Sequence, residues 1–154
     1  GVDVVAHLAA VQGTGTFYRA PARVLDVNVG GRLEIVRAAS SAGVRRLLFA
    51  SSSEVYATPP VVPTPEEVPA VIPDVRNPRF SYSGSKIIGE LLVLHSAQAG
   101  GFEPIIVRYH NVYGPRMGWD HVIPQFITRL ERGEPVVLFA AKEQRPATSV
   151  EVDE

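Results

Sequence analysis

Three short apolar segments, each followed by polar residues, constrain the fold of this chain more than any other feature. They occupy residues 2–10, residues 44–53 with the sequence VRRLLFASSS, and residues 105–108. Their β-branched and apolar side chains are typical of strands buried on both faces of a parallel sheet. Helix-like stretches separate them, and strand–helix–strand crossovers bring the carboxyl ends of parallel strands to one edge. We therefore predict an α/β fold whose ligand site lies at that edge.

The segments between the strands predict helices and one long loop. Residues 21–42 and 81–98 have apolar side chains near helical spacing, and each is followed by glycine that can end a helix. A last helix is predicted at 122–132 and a fourth strand at 135–140. Seven prolines within residues 59–78 exclude a helix or a central strand there, so this segment is predicted to be a loop.

The composition excludes several classes of function. The 154 residues have a formal net charge of −1 and no long basic run, so neither nucleic acid nor an anionic membrane surface is a predicted partner. No apolar run reaches the ~20 residues that span a bilayer, and no signal-peptide pattern is present. The absence of cysteine excludes disulfide and thiolate chemistry and is compatible with the cytoplasmic location that we predict.

A tyrosine and a lysine are spaced so that they can work together. Tyr82 and Lys86 lie four residues apart and would share one face of a helix. A nearby ammonium stabilises a phenolate and lowers the pKa of tyrosine from its ordinary value of about 10, so the pair could remove a proton from a substrate hydroxyl as hydride leaves the same carbon. Ser52, which ends the preceding strand, could bind the same oxygen. The Tyr-x-x-x-Lys pattern also arises by chance in ordinary helices, and the upstream serine favours the catalytic interpretation.

Five motifs make the chain resemble the extended short-chain dehydrogenases/reductases, specifically the nucleotide-sugar epimerase and dehydratase family. The motifs are HLAA at 7–10, NVGGRLEIVRAA at 28–39, SSSEVY at 51–56, YSGSK at 82–86 and RYHNVYGPR at 108–116. They occur in the family's order and spacing through nearly the whole chain. The resemblance implies a partial Rossmann-like, doubly wound parallel sheet at 1–120, followed by the start of a small substrate-binding region at 121–154.

The resemblance also implies roles for individual residues. Tyr82 would be the catalytic base, Ser52 would orient the substrate hydroxyl, and Lys86 would act as electrostatic partner and bind the nicotinamide ribose. The other implied contacts are Ala9, Ala10 and Ser51 for the cofactor, and Ser53, Asn111 and Arg145 for a nucleotide-diphosphate sugar. The implied cofactor is NAD rather than NADP, and the complete protein would be a homodimer.

Glu54 bears on which reaction the family resemblance implies. In the family's 4,6-dehydratases the corresponding stretch reads Thr-Asp-Glu, whose two carboxyl groups remove water after oxidation at C4, whereas here it reads Ser52, Ser53, Glu54. A Ser-Glu arrangement occurs in sugar-nucleotide decarboxylases and in some epimerases. Epimerisation is therefore the leading interpretation, with Glu54 as a further catalytic candidate. A dehydratase or decarboxylase, and a non-catalytic sugar-nucleotide-binding fragment, are the alternatives, and Glu54 could equally do no more than orient its loop.

The resemblance is incomplete at the N-terminal end. The family's Gly-x-x-Gly-x-x-Gly turn, which binds the dinucleotide pyrophosphate through backbone N–H groups, is not in this sequence. We therefore expect the chain to be part of a longer enzyme, to bind the cofactor weakly or not at all by itself, and to expose a strand edge beside residues 2–10. No histidine has a partner at metal-ligand spacing, so no metal site is predicted.

Overall fold

The computed structural model describes residues 1–119 and 121–137. The chain divides into two compact units, Gly1–His110 and Asn111–Glu154. The strands of the first unit are β1 (Val4–His7), β2 (Arg46–Ser52) and β3 (Glu103–Tyr109). Its helices are α1 (Thr14–Arg19), α2 (Pro21–Leu25), α3 (Gly31–Ser41) and α4 (Phe80–Gly100), with a π-helical turn at Asp26–Gly30 and a 3₁₀ turn at Ser53–Tyr56. In the second unit, α5 spans Val122–Glu131. The functional division after residue 120 stays a prediction.

The three strands form one parallel sheet in the order β1, β2, β3. Val5 of β1 aligns with Leu47 of β2, and Phe49 of β2 aligns with Ile106 of β3. Each strand is followed in the chain by polar residues, and the parallel register brings those residues to a common edge. The predicted α/β fold with a parallel sheet is thus confirmed, and the edge expected to bear the site exists.

The main core lies between the central strand and helices α3 and α4. Leu47 and Phe49 of β2 are fully buried and pack with Val36 of α3 and Val93 of α4. Burying such side chains contributes roughly 1.5–3 kcal/mol each, so this contact accounts for much of what joins the helices to the sheet. The prediction that β1 is buried on both faces is wrong, because its residues alternate between exposed and partly exposed and Val4 is 47% exposed. The predicted exposed strand edge is present, because β1 lies at the edge of the sheet.

Two local features between β1 and β2 differ from the sequence prediction. No helix is predicted before residue 21, but α1 forms at Thr14–Arg19 and buries the ring of Phe17. Six residues are too few for helical periodicity to be visible in the sequence. The predicted helix at 21–42 is correctly placed and starts with Pro21 at its first position, yet it contains the π turn Asp26–Gly30. A pattern read at 3.6 residues per turn does not distinguish that turn from α-helix.

The proline-rich segment at 57–79 forms neither helix nor strand, as predicted. It is held to the first unit by the backbone N–H of Val71, which donates to the Val55 carbonyl at 2.8 Å. α4 follows and ends at Gly101, whose φ of +72° is the left-handed conformation that favours glycine.

The second unit confirms the predicted helix at 122–132 through α5. Of the predicted fourth strand, residues 135–137 have no regular structure, and residues 138–140 lie outside the described residues. Within residues 1–119 and 121–137, no helix combines the length and apolar character needed to cross a membrane.

Candidate active site

The carboxyl end of β2 brings a serine hydroxyl to the tyrosine of α4. Ser52 ends the strand, and its Oγ accepts a hydrogen bond of 3.2 Å from the backbone N–H of Glu54. Accepting this bond does not use the hydroxyl proton of Ser52, so that proton remains available for donation. Ser52 lies close enough to Tyr82 for a hydrogen bond between the two side chains to lower the pKa of the phenol. The predicted Ser52–Tyr82 pair is therefore assembled in the fold.

The phenol of Tyr82 sits in a largely apolar pocket. Its residue is 8% exposed, and its ring stacks on Phe17 with 5.0 Å between centroids. Burial raises the pKa of Tyr82 above its ordinary value, and the charge of Glu54 raises it further, while Ser52 and Arg32 act in the opposite direction. The net direction is therefore opposite to the lowering expected from a nearby ammonium, because desolvation dominates. The role of Lys86 as electrostatic partner of Tyr82 stays a prediction.

The ammonium group of Lys86 is anchored to the sheet rather than to the phenol oxygen. Its Nζ donates to the Ala50 carbonyl of β2 at 2.6 Å and lies 5.4 Å from the centroid of the Tyr82 ring. Lys86 is 3% exposed, and burial, with a smaller effect of the Arg32 charge, lowers its pKa to about 8. An ammonium has three donors, so two remain after the bond to Ala50.

Asn28 is a site residue that sequence reasoning did not single out. It lies in the π turn, is 2% exposed, and accepts from the Val11 N–H at 2.7 Å while donating to the Val11 carbonyl at 3.0 Å. It also donates to Ser85 Oγ at 3.2 Å, and Ser85 donates in turn to the Tyr82 carbonyl at 2.7 Å. Asn28 thereby joins the segment after β1 to the second turn of α4. The signal in the sequence was a polar side chain in the middle of an apolar helix pattern.

Arg32 is a second residue that sequence reasoning missed. Its side chain is fully buried, its guanidinium carbon lies 4.1 Å from the centroid of the Phe49 ring, and Nη1 donates to the Ser85 carbonyl at 2.9 Å. Burial lowers the pKa of Arg32 to about 10. Gly89 of α4 leaves room for it, because a Cβ at that position would overlap the guanidinium and the ring of Phe49. This fit involves three separate segments, so no local pattern signals it.

A second buried cluster stands beside the first and is fully paired. Arg108 of β3 donates through Nε and Nη2 to both carboxylate oxygens of Glu90, at 2.9 and 2.7 Å, and through Nη1 to the Tyr56 hydroxyl at 2.8 Å. Ser51 donates to the same carboxylate at 2.5 Å. Because the Ser51 hydroxyl donates its proton to Glu90, its oxygen is left as an acceptor, and the predicted cofactor contact of Ser51 stays a prediction.

The remaining predicted residues occupy different parts of the chain. Ala9 and Ala10 follow β1, and Ser53 is the first residue of the 3₁₀ turn after β2. Asn111 is an exposed residue of the second unit. Arg145 lies outside the described residues. The structure therefore brings together the residues predicted from β2 and α4 and leaves the contacts of Asn111 and Arg145 as predictions.

The residues at this edge suit the nicotinamide ribose of a dinucleotide. Ala9 is exposed and Ala10 is partly exposed, so these small side chains leave a shallow surface after β1. Lys86 keeps two donors for ribose hydroxyls, and Tyr82 stands one helical turn away on the same helix. The donor set thus fits that half of the cofactor, whereas the sequence contains no Gly-x-x-Gly-x-x-Gly turn for the pyrophosphate.

A parallel α/β sheet with serine, tyrosine and lysine at its carboxyl edge defines a short-chain dehydrogenase/reductase with a Rossmann-like fold. The family model described as the NAD dependent epimerase/dehydratase family matches residues 1–151, and the chain belongs to this family. The predicted family is therefore confirmed, and its members are enzymes whose main cofactor is NAD.

Relatives with different activities resemble the chain to a similar degree. It is 34% identical to UDP-N-acetyl-alpha-D-glucosaminuronate decarboxylase of Bacillus cytotoxicus, over 92% of this chain and 44% of that protein. It is 32% identical to UDP-glucose 4-epimerase of Streptomyces lividans, over 99% and 43%. The solved structure of the Bordetella bronchiseptica enzyme WbmG in complex with NAD and UDP shares 32% identity and a TM-score of 0.69, over 86% of this chain and 38% of that one. The chain thus spans less than half the length of these relatives.

Proposed function

We propose that the protein carrying this chain is an NAD-dependent nucleotide-sugar epimerase that works by reversible oxidation at C4 of the sugar. The observation that carries the proposal is the arrangement at the end of β2, where Ser52 retains a proton to donate beside the phenol of Tyr82. Two hydroxyl groups so placed can hold one substrate oxygen between them. The family, which contains epimerases, dehydratases and decarboxylases, supports the same step because oxidation of a sugar hydroxyl is common to those reactions.

Three residues of the chain, Ser52, Tyr82 and Lys86, have separate roles in that oxidation. Bound NAD would supply the hydride acceptor for oxidation at C4 and the hydride donor for its reversal. Ser52 donates a hydrogen bond to the C4 oxygen, and Tyr82 as phenolate takes the hydroxyl proton and gives it back on reduction. Lys86 holds ribose hydroxyls with the donors that Ala50 leaves free. Epimerisation needs no further acid or base, since the same proton returns to the same oxygen after the keto sugar has turned its other face.

The substrate class and the assembly are part of the proposal. The similar WbmG structure holds UDP, which supports a nucleotide-diphosphate sugar as the ligand of this site, with Ser53, Asn111 and Arg145 as its predicted contacts. The exposed apolar side chains Ile88, Leu91 and Leu94 of α4 support a homodimer, because a single chain gains nothing from leaving them in water.

A decarboxylase is the second candidate, and Glu54 is the observation that favours it. The charge of Glu54 acts on the phenol of Tyr82, so a carboxyl group stands near the reacting oxygen. After oxidation at C4, a sugar acid is a β-keto acid and can lose carbon dioxide, and the carbanion left at C5 then needs a proton. Glu54 could supply it. The decarboxylase relative from Bacillus cytotoxicus supports this candidate as well.

One experiment with the full-length enzyme tests the proposal and separates the candidates. Tyr82→Phe is expected to lower kcat about 10²–10⁴-fold without unfolding the protein, because it removes the proton acceptor. The assays are NAD-dependent interconversion of UDP-glucose and UDP-galactose, and carbon dioxide release from UDP-glucuronate. Tyr18→Phe is the matched control, since Tyr18 of α1 is 52% exposed and outside the site.

Glu54→Gln decides between the two activities. An epimerase is expected to retain its interconversion rate within a few-fold, whereas a decarboxylase is expected to lose carbon dioxide release together with the proton donor. Unchanged turnover in Tyr82→Phe would contradict the assignment of the site under either candidate. If the enzyme releases carbon dioxide and Glu54→Gln abolishes that release, the assignment changes from epimerase to decarboxylase.

A further inference from the structure

The turn that follows Ser52 ends in strained backbone. The 3₁₀ turn Ser53–Tyr56 is succeeded by Ala57, which has φ +51° and ψ −111°. The Cβ of an L-residue crowds its own backbone in this region, so glycine adopts the conformation readily whereas alanine does so at a cost. Strain of this kind persists only where neighbouring groups hold the segment in place. Contacts with other segments must therefore hold this turn.

Two such contacts reach the turn, one from β3 and one from the proline-rich segment. The Tyr56 hydroxyl accepts a hydrogen bond from Arg108 Nη1 at 2.8 Å, and the guanidinium carbon of Arg108 lies 4.9 Å from the centroid of the Tyr56 ring. The Val55 carbonyl accepts from the Val71 N–H at 2.8 Å. Val55 is fully buried and Tyr56 is 6% exposed, so water has little access to replace these partners.

The ion pair of Glu90 and Arg108 binds the chain on both sides of Ser52. Glu90 accepts a hydrogen bond from Ser51, the residue before Ser52. Arg108 binds Tyr56 at the end of the turn. Arg108 also donates to both carboxylate oxygens of Glu90, at 2.9 and 2.7 Å, so the two points of attachment belong to one bidentate pair. Ser52 and the first residues of the turn lie between these two points.

We propose that Tyr56 and Arg108 are positioning residues of the active site, whose hydrogen bond holds the strained turn and thereby fixes the orientation of Ser52. The inference deepens the proposed function and rests on Ser52 belonging to that site. Tyr56 and Arg108 act through the backbone of the turn, and the proposal requires no contact between either side chain and the substrate.

The backbone of Glu54 links the strain to the serine. Its N–H donates to Ser52 Oγ at 3.2 Å, so the placement of this peptide group sets the direction of the hydroxyl. The Glu54 carbonyl accepts from the Ala57 N–H at 3.2 Å. Relaxation of Ala57 to negative φ rotates the peptide group before it and breaks that second bond. In the absence of the bond from Arg108, the strain at Ala57 therefore displaces the group that orients Ser52.

The test uses the full-length enzyme with Tyr56→Phe, which keeps the buried ring and the Glu90–Arg108 pair and removes one hydroxyl. Amide hydrogen exchange of residues 53–57 is measured by mass spectrometry without substrate, and it is expected to accelerate several-fold. The kinetic measurement is interconversion of UDP-glucose and UDP-galactose. We expect kcat to fall about tenfold and KM to stay within about twofold, because the substrate still binds while the placement of Ser52 is lost.

Ala57→Gly separates positioning from support of the fold. Glycine adopts the positive φ without strain, so adding Ala57→Gly to Tyr56→Phe is expected to restore most of kcat and to slow the exchange of the turn again. If Tyr56 only supported the fold, Tyr56→Phe would lower the unfolding temperature and leave kcat unchanged. Tyr18→Phe is the matched control, since it removes a tyrosine hydroxyl at a 52% exposed position outside the site, and it is expected to change neither exchange nor kcat.

Exchange and kcat can each overturn the proposal. A folded Tyr56→Phe enzyme whose turn exchanges at the parent rate overturns it, and so does one that retains the parent kcat or is not restored by Ala57→Gly. Should Tyr56→Phe fail to fold, Arg108→Lys decides, because lysine keeps a charge opposite Glu90 but lacks the fork that also reaches Tyr56, and the same two changes are expected. A parent enzyme without epimerase activity contradicts the proposed function, whereas the exchange measurement still decides whether the hydrogen bond holds the turn.

Discussion

The first unit buries two groups of charged side chains in opposite ways. In the first group, Glu90 and Arg108 form a bidentate ion pair, and Ser51 and Tyr56 bind its remaining polar atoms. In the second group, Arg32 and Lys86 lie over Phe49, and each makes one hydrogen bond to a backbone carbonyl. Both groups contact α4 and β2, but they differ in partners and in depth, since the Arg108 side chain is 24% exposed whereas Arg32 and Lys86 are buried.

The difference separates a structural role from a chemical one. A buried pair with all its hydrogen bonds made holds strands, helix and loop together, and here it reaches the proline-rich segment through the Glu66 carbonyl at 3.0 Å. Buried cations that lack a counter-charge destabilise the fold and persist where chemistry needs them. Lys86 of the second group lies 5.4 Å from the centroid of the Tyr82 ring, and we infer that the fold tolerates this buried ammonium for that reason.

The largest expected effect comes from breaking the paired group. Glu90→Leu leaves Arg108 without its carboxylate, and we expect it to lower the free energy of unfolding by about 3 kcal/mol. Urea unfolding followed by circular dichroism measures this. The double variant Glu90→Leu with Arg108→Met is the control and is expected to recover much of the loss, because it removes the stranded charge. A loss below about 1 kcal/mol in Glu90→Leu would show that the pair is not what holds this region.

In the unpaired group of Arg32 and Lys86, substitution of a charged side chain is expected to raise the free energy of unfolding. Lys86→Met should raise the free energy of unfolding at pH 7 by about 1–3 kcal/mol, because it replaces a buried, poorly paired cation by an apolar side chain of similar length. The pKa of Lys86 is about 8 in the fold against 10.5 ordinarily, so between these values the unfolded chain binds more protons. The stability of the parent chain therefore rises with pH across that window.

The gain from Lys86→Met should follow the same window. It is expected to be full below pH 8 and to disappear as the pH approaches 10.5, which urea unfolding at a series of pH values can follow. Arg37→Met, which alters an exposed pair, serves as the control and should change stability by no more than about 0.5 kcal/mol at every pH. If Lys86→Met lowered the free energy of unfolding at pH 7, the buried ammonium would stabilise the fold as the Glu90–Arg108 pair does, which would contradict the contrast between the two groups.

Much of the fold was predictable because its signals are local. Apolar segments that end in polar residues indicated β2 and β3, helical periodicity indicated α3 and α4, and prolines indicated the loop. The exposed edge of β1 was predicted from the missing N-terminal motif, whereas the exposure of its faces was not, because burial of a strand face depends on what packs against it. The helix α1 was missed because six residues carry too little periodicity.

The site was predictable as a set of residues but not as an electrostatic system. Ser52 and Tyr82 could be paired from the sequence, since the crossover brings the end of β2 to the start of α4. The direction of the Tyr82 pKa depends on burial against Phe17 and on the charge of Glu54, which only the fold supplies. The guanidinium of Arg32 occupies the space that the missing side chain of Gly89 leaves. Neither the sequence of α3 nor that of α4 indicates this contact between the two helices.

The smallest expected effect tests whether the two groups are independent. Ser51→Ala removes one hydrogen bond to Glu90 while the bidentate bonds from Arg108 remain, so we expect a loss of about 1 kcal/mol. Ser51 adjoins Ala50, whose carbonyl binds Lys86, and a backbone shift could therefore couple the groups. A double-mutant cycle of Ser51→Ala with Lys86→Met measures that coupling by urea unfolding. Additivity within about 0.5 kcal/mol supports two separate groups, whereas a coupling above about 1 kcal/mol would mean that the ion pair helps to hold the lysine in place.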